Sequence, residues 1–167
     1  LSNTADVVFD DVHVPADHLI GKEGKGYGYA MSTLDLARPI IGAMSAGIIR
    51  RCIEECVEYA KQRVTFGKPI IKHQVNSFKL ADMEIKLETT RAAVINCFNQ
   101  YYAGKPYGEA AAIAKCYGGD SSVECALEAI QILGGYGYSR EYPVEKLLRD
   151  AKIMQIYEGT CLLYTSD

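Results

Sequence analysis

Apolar residues recur every three or four positions through most of the chain, and this periodicity constrains the fold more than any other feature of the sequence. In the first such stretch the apolar positions are Ala30, Leu34, Ala37, Ile41, Met44, Ile48, Cys52 and Cys56. This spacing places them on one face of a long helix. Because Pro39 lies inside the stretch, we expect a kink near Ala37 or Arg38, or a restart of the helix there.

A loop at Gly67–Pro69 separates this helix from a second one, which we predict at about residues 74–102. The predicted inward face of the second helix consists of Phe78, Ala81, Ile85, Ala92, Ile95 and Phe98. The GKP sequence at 104–106 ends the helix, because glycine and proline both disfavour its continuation.

A third helix is predicted at about residues 107–133, ending at the glycine pair 134–135. A fourth begins at Pro143, since proline suits the first helical position. Its inward positions are Val144, Leu147, Ala151 and Met154. Four amphipathic helices joined by short turns predict an all-α fold, an antiparallel four-helix bundle.

The segment 5–14, ADVVFDDVHV, is rich in β-branched and aromatic residues and precedes Pro15, which predicts a strand followed by an extended turn. An isolated strand leaves its backbone groups unpaired. We therefore expect residues 1–22 to be the end of a β domain and a linker, with the rest of its sheet upstream of Leu1. The helical domain would then occupy residues 23–160.

Composition excludes several classes of function. The formal net charge is −3 and the pI about 5.7, so nucleic acid is not an expected partner. No apolar run approaches the ~20 residues of a membrane span. The six cysteines form no CxxC pair, and the histidines are not at zinc-ligand spacing from them. We expect reduced thiols, no metal, and a bacterial cytoplasmic or mitochondrial matrix location.

Seven short motifs, in this order and at these separations, resemble the acyl-CoA dehydrogenase family of the medium-chain or short-chain type, most closely its medium-chain branch. They are FDDVHVP (9–15), TLDLARP (33–39), RVTFGKPI (63–70), HQ (73–74), QILGGYGY (131–138), EYPVEKLLRDAKI (141–153) and IYEGT (156–160). The resemblance implies a carboxy-terminal helical bundle that follows a helical domain and a β domain.

The same resemblance implies a flavoprotein of fatty acid β-oxidation. It would convert a saturated acyl-CoA to the trans-2-enoyl-CoA, with hydride passing from the β-carbon to FAD and electrons then passing to an electron-transferring flavoprotein. The subunits would form a homotetramer that shares its FAD sites.

By resemblance, Glu158 abstracts the substrate's α-proton, and its backbone amide donates to the thioester carbonyl. The residue follows an apolar segment, where partial burial strengthens a carboxylate as a base, and precedes Gly159. From local sequence alone, a solvated glutamate beside a helix-ending glycine is the simpler interpretation. A second arrangement in the family places the base at the position of Ala37, which cannot act as one. The chain is therefore expected to be of the medium-chain, short-chain or glutaryl type rather than the isovaleryl or long-chain type.

The resemblance also assigns the binding residues. The acyl-CoA site would include Asp35, Leu36, Ala37, Arg38 and Gly159. The FAD site would include Arg63, Val64, Thr65, Phe66, His73, Gln74, Gln131, Ile132, Leu133, Gly134, Gly135 and Thr160. Without the resemblance, Asp35 and Arg38 form a surface ion pair, Arg63 is a cation at a helix carboxy terminus, and the glycines cap a helix.

After Thr160 the sequence departs from the family, which continues with a small residue, Gln-Ile-Gln-Arg and a final helix. We expect residues 161–167, CLLYTSD, to be a non-native tail. Two alternatives to the dehydrogenase remain open. One is a catalytically silent helical module used for assembly; the other is an acyl-CoA oxidase-like flavoenzyme.

Overall fold

Four long helices make up most of the protein, whose computed structural model describes residues 4–159. The long helices are α1 (Gly26–Gln62), α2 (Gln74–Tyr102), α3 (Gly108–Leu133) and α5 (Val144–Met154), and the single-turn α4 (Gly135–Tyr138) lies between the last two. The short connections after α2 and α3 favour antiparallel packing of neighbouring helices. The predicted all-α bundle is confirmed.

The centre of the bundle is the crossing of α1 and α3, and α3 also packs against α2 and α5. The two central helices approach closely because both carry glycine at the contact. A Cβ atom added to Gly42 would lie 2.8 Å from the carbonyl oxygen of Ala114, and one added to Gly118 would lie 3.2 Å from the Gly42 Cα. Small residues therefore set the spacing between α1 and α3.

Helix α1 is continuous through Pro39, so the helix does not restart there. Proline in a helix interior removes one backbone hydrogen bond. Burial of Ile41, Ser45 and Ile49 on the following turns offsets that loss, since these residues pack into the bundle. Of the face predicted for this helix, Cys52 is fully buried, but Met44 is 47% exposed.

The inward face predicted for α2 is wrong. Phe78, Ile85 and Ile95 are 60%, 62% and 59% exposed, respectively, and the Ala81 and Ala92 side chains are also exposed. The buried residues of α2 are Met83, Leu87, Thr90, Val94 and Cys97. The helix carries apolar residues on two sides, and periodicity does not indicate which of them faces the bundle.

Two further predictions differ from the structure. Residues 5–14 form no strand, because no second strand is present beside them to accept their backbone hydrogen bonds. Gly67–Pro69, predicted as a loop, is part of a hairpin in which β1 (Val64–Thr65) pairs antiparallel with β2 (Lys68–Pro69). Its two turn residues both have positive φ, 50° at Phe66 and 78° at Gly67, as in a type I′ turn.

Cys52, Cys56, Cys97 and Cys125 are buried and have free thiols. Burial is the largest cause that raises the pKa of Cys56 and of Cys125 to about 12. No helix within residues 4–159 is long and apolar enough to cross a bilayer. The same part of the chain contains no group of three or more His, Cys, Asp or Glu side chains arranged to hold a metal ion.

Candidate active site

Glu158 lies in a sharp turn just after α5. The last turn of the helix closes with a 3.2 Å hydrogen bond from the Tyr157 amide to the Ile153 carbonyl. The next two residues then take positive φ angles, 57° at Glu158 and 93° at Gly159. Glycine adopts this conformation freely, but a non-glycine residue there costs about 1 to 3 kcal/mol. The surrounding structure therefore holds the Glu158 backbone in an unfavourable conformation.

The Glu158 carboxylate has one buried oxygen, Oε2, that has no hydrogen-bond partner among residues 4–159. Buried polar atoms are nearly always paired, so an unpaired one calls for a functional or structural reason. The neighbouring Tyr157 has a pKa raised first by burial and second by the charge of Glu158, so its phenol stays protonated. Its hydroxyl group donates to the Met154 sulfur at 3.2 Å and leaves Glu158 Oε2 unbonded.

Arg38 connects α1 to this turn. Its Nε donates to the Glu158 carbonyl oxygen at 3.4 Å, and its Nη1 pairs with Asp35 Oδ1 at 2.9 Å. A Cβ atom added to Gly159 would lie 3.8 Å from Arg38 Nη2, so the glycine faces the guanidinium group. The structure thus brings together Asp35, Arg38, Glu158 and Gly159 from opposite ends of the sequence.

Leu36 and Ala37 belong to the same turn of α1 as Arg38. Leu36 is 38% exposed, and Ala37 is half-buried. Their accessibility leaves them able to contact a ligand. Among the hydrogen bonds of the described residues, however, the link between this turn of α1 and Glu158 is the one made by Arg38.

A second surface, which we call the arginine cleft, lies between the end of α1 and the end of α3. It encloses about 670 Å³ and is lined by Arg63 and Thr65 on one side and by the segment Gln131–Gly135 on the other. Within this segment, Gly134 has φ of 62° and caps the carboxy-terminal end of α3. Seven of the twelve residues predicted for the cofactor site therefore line one cleft.

The remaining predicted cofactor residues lie beside the arginine cleft or outside the described region. His73 Nε2 is 3.1 Å from Thr65 Oγ1, and the His73 ring meets Phe66 edge-on at 6.1 Å. The Phe66 side chain is 96% exposed at the tip of the hairpin, and Val64, in strand β1, is 56% exposed. Gln74 is the exposed first residue of α2. Thr160 and residues 161–167 lie outside the described residues.

Sequence reasoning missed two features of these sites. Lys115 on α3 is only 3% exposed, and its ammonium group donates to the Gly159 carbonyl oxygen. Its signal was a lysine within a run of small, core-forming residues, AAAIAKCYGG. Tyr59 and Tyr136, which line the arginine cleft, pack with their ring centroids 6.1 Å apart. Their separation in sequence hides this contact.

Residues 24–161 match the family described as "Acyl-CoA dehydrogenase, C-terminal domain". This match covers well over half of the chain. The chain belongs to the acyl-CoA dehydrogenase family. The helical bundle described above is the domain that this match identifies.

Known acyl-CoA dehydrogenases are similar over nearly the whole chain. An acyl-CoA dehydrogenase of Bacillus subtilis is 48% identical over 95% of the chain, and a short-chain-specific one of Megasphaera elsdenii is 50% identical over the same share. The structure of butyryl-CoA dehydrogenase from Megasphaera elsdenii superposes with a TM-score of 0.91 over 94% of the chain. The chain spans 42% of the length of these curated relatives and 41% of that structure.

More distant relatives include flavin-containing structures. One described as "PigA with FAD and proline" is 28% identical, with a TM-score of 0.88 over 93% of the chain. In this domain Arg63 and the glycines of the arginine cleft are the residues that could hold an anionic dinucleotide, and Glu141 is the acidic residue among those that line the cleft. Arg63 offers a planar fork suited to paired phosphate oxygens, and the glycines let a ligand approach the backbone.

Proposed function

We propose that the complete protein dehydrogenates a saturated acyl-CoA to the trans-2-enoyl-CoA, with Glu158 as the base that abstracts the α-proton. The observation that carries this proposal is the buried Oε2 of Glu158, which has no hydrogen-bond partner among the described residues and belongs to a residue with φ of 57°. Strain and an unpaired polar atom together are typical of functional sites.

In this mechanism the α C–H bond breaks, its proton passes to Glu158 Oε2, and the electron pair moves toward the thioester carbonyl. The base needs an approach free of water and of competing hydrogen bonds, which the burial of Oε2 provides. Arg38 orients the turn through the Glu158 carbonyl and is itself held by Asp35. The Glu158 amide is proposed to donate to the thioester oxygen and stabilise its developing charge.

FAD is the proposed cofactor, and when bound it supplies the acceptor for the β-hydride. Arg63, Thr65 and the segment Gln131–Gly135 would hold its dinucleotide part in the arginine cleft. Val64, Phe66, His73, Gln74 and Thr160 would add contacts. We further propose a homotetramer in which this cleft completes the FAD site of a neighbouring subunit. In the complete protein, residues 1–22 would end a β domain.

The names of the relatives support a short acyl chain as substrate, rather than the medium chain favoured by the sequence motifs. Both the short-chain-specific enzyme and butyryl-CoA dehydrogenase of Megasphaera elsdenii are 50% identical to this chain. A structure described as an electron transferring flavoprotein of Acidaminococcus fermentans matches with a TM-score of 0.92. It supports an electron-transferring flavoprotein as partner, and the bacterial relatives support a bacterial cytoplasmic location over the mitochondrial matrix.

An oxidase is the second candidate. The prolyl acyl carrier protein oxidase AnaB is 30% identical to this chain, with a TM-score of 0.86, so this bundle also occurs in enzymes that differ in their electron acceptor. A catalytically silent module is disfavoured because a silent domain would have no reason to keep Glu158 Oε2 buried and unpaired.

The test uses the complete FAD-loaded protein and follows visible flavin absorbance anaerobically as butyryl-, octanoyl- or palmitoyl-CoA is added. We expect bleaching, fastest with butyryl-CoA. Admitting oxygen to the reduced protein then distinguishes an oxidase from a dehydrogenase. The flavin of an oxidase regains its absorbance rapidly, whereas that of a dehydrogenase regains it only when an electron-transferring flavoprotein is added. No bleaching with any of the three thioesters would contradict the proposed reaction.

A further inference from the structure

Among the described residues, Lys115 is the buried cation whose role the proposed reaction leaves unexplained. Its side chain projects from α3, the helix packed against all three other long helices, and is 3% exposed. Removing an ammonium group from water is costly unless hydrogen bonds compensate it. Part of that compensation comes from the Gly159 carbonyl oxygen, to which Lys115 Nζ donates. Lys115 therefore connects α3 to the turn that contains Glu158.

Two helices hold this turn through successive carbonyl groups. Arg38 of α1 donates to the carbonyl of Glu158 at 3.4 Å, and Lys115 of α3 donates to the carbonyl of Gly159. Both residues of the turn have positive φ, which a free chain would not hold at Glu158. Because α1 and α3 are locked together at the Gly42 and Gly118 contact, the two donors are set on one rigid frame.

The two cations fix the backbone of the turn and leave Oε2 without a donor. A base must keep its accepting oxygen available, and a hydrogen bond to that oxygen would weaken it. Donors directed at the adjoining carbonyls achieve positioning without that penalty. The backbone of the turn is thus held by two hydrogen bonds, while the carboxylate oxygen Oε2 accepts none from the described residues.

We propose that Lys115 is a positioning residue for the reaction: by holding the Gly159 carbonyl it keeps the Glu158 carboxylate directed at the substrate's α-carbon. The inference rests on the proposed role of Glu158 as the base. It goes beyond that role by assigning a function to a residue on a different helix. A purely structural lysine would instead support folding and leave the rate per bound flavin unchanged.

The experiment uses the complete FAD-loaded protein and compares Lys115→Met with Lys115→Arg and Lys79→Met. Methionine keeps the length of the side chain and removes its donors, whereas arginine keeps the charge. Lys79 is the matched control, a partly buried lysine of α2 that pairs with Glu128 of α3. The measured quantities are flavin content, acyl-CoA dissociation constant and single-turnover rate of flavin reduction.

We expect Lys115→Met to lower the rate of flavin reduction by about 10- to 100-fold, the loss typical of a misplaced reacting group. Flavin content and acyl-CoA affinity should change much less. Lys115→Arg should recover part of the rate, and Lys79→Met should match the wild type. An unchanged rate per bound flavin in Lys115→Met, or a loss confined to flavin content or melting temperature, would overturn the proposal.

A double-mutant cycle with Glu158→Gln tests whether Lys115 acts through the base. Residues that act as one unit are non-additive. Adding Lys115→Met to Glu158→Gln should therefore lower the residual rate little further. If the rate losses of the two substitutions multiply in the double variant, Lys115 does not position Glu158. A fully active Glu158→Gln variant would show that Glu158 is not the base. If Lys115→Met does not fold, Lys115→Gln replaces it in the cycle and is judged by the same results.

Discussion

The tight contact between α1 and α3 at Gly42 leads to one prediction in which the same substitution has opposite effects at two glycines of one helix. Gly42 faces α3, and a Cβ atom there would lie 2.8 Å from the Ala114 carbonyl oxygen and 3.0 Å from Val94 Cγ2. Gly47, also in α1, would place a Cβ atom with no neighbour within 4 Å. Alanine should therefore clash at the first position and not at the second.

The magnitudes follow from two competing terms. Replacing glycine by alanine in a helix interior stabilises the helix by about 1 kcal/mol. Overpacking a close helix contact costs about 1 to 3 kcal/mol, and the upper end applies at Gly42 because the obstructing atom belongs to the backbone. We expect Gly42→Ala to lower the free energy of unfolding by about 2 kcal/mol, from these two terms. Gly47→Ala should raise it by up to about 1 kcal/mol.

Urea denaturation of the chain, followed by far-ultraviolet circular dichroism, measures both values on one protein background. The difference between the two variants matters more than either value, since effects of alanine on the unfolded chain cancel between them. Equal stabilisation by both substitutions would show that α1 and α3 do not meet at Gly42. That result would also remove the rigid frame on which Arg38 and Lys115 depend.

Three further predictions concern the arginine cleft and the thiols. Arg63→Ala should weaken FAD binding by about 10- to 100-fold, which is the contribution of a charge-assisted hydrogen bond. The control Arg50→Ala removes an exposed arginine and should leave FAD affinity unchanged. Equal FAD affinities of the two variants would exclude Arg63 as a phosphate ligand. At pH 8, iodoacetamide should alkylate the half-buried Cys116 before the fully buried Cys56, as read by peptide mapping, and the reverse order would contradict the packing. Folding raises the pKa of Cys56 from 9.0 to about 12, so the free energy of unfolding should fall as pH rises through this interval. Cys56→Ala should make that fall shallower, and an unchanged slope would refute the assignment.

Helix positions could be predicted from sequence because they depend on local signals. The glycine at 134 ends α3 and proline at 143 precedes α5, where the pattern predicted both boundaries. The buried face of α2 could not be predicted in this way. Ile85 and Leu87 are equally apolar, yet Ile85 is 62% exposed and Leu87 is 3% exposed, because packing against α1 and α3 selects the face.

The candidate sites depended on family resemblance, since local sequence gives Glu158 and Arg63 ordinary surface roles. The structure adds what spacing cannot show, that Arg38 meets the Glu158 carbonyl across a separation of 120 residues. The structure also shows why the sequence alone does not identify Lys115 as part of this site. A lysine is usually assigned to a solvated face, and the carbonyl group to which this one donates lies 44 residues further along the chain.

Isotope exchange tests most directly whether Glu158 removes the α-proton. The complete protein would be incubated in deuterated water with an acyl-CoA in which sulfur replaces the β-carbon, so that proton abstraction can proceed without loss of hydride. Mass spectrometry then reports deuterium at the α-carbon. We predict rapid exchange by the wild type and none above background by Glu158→Gln, with binding of the analogue retained. Equally rapid exchange by both proteins would show that another group is the base.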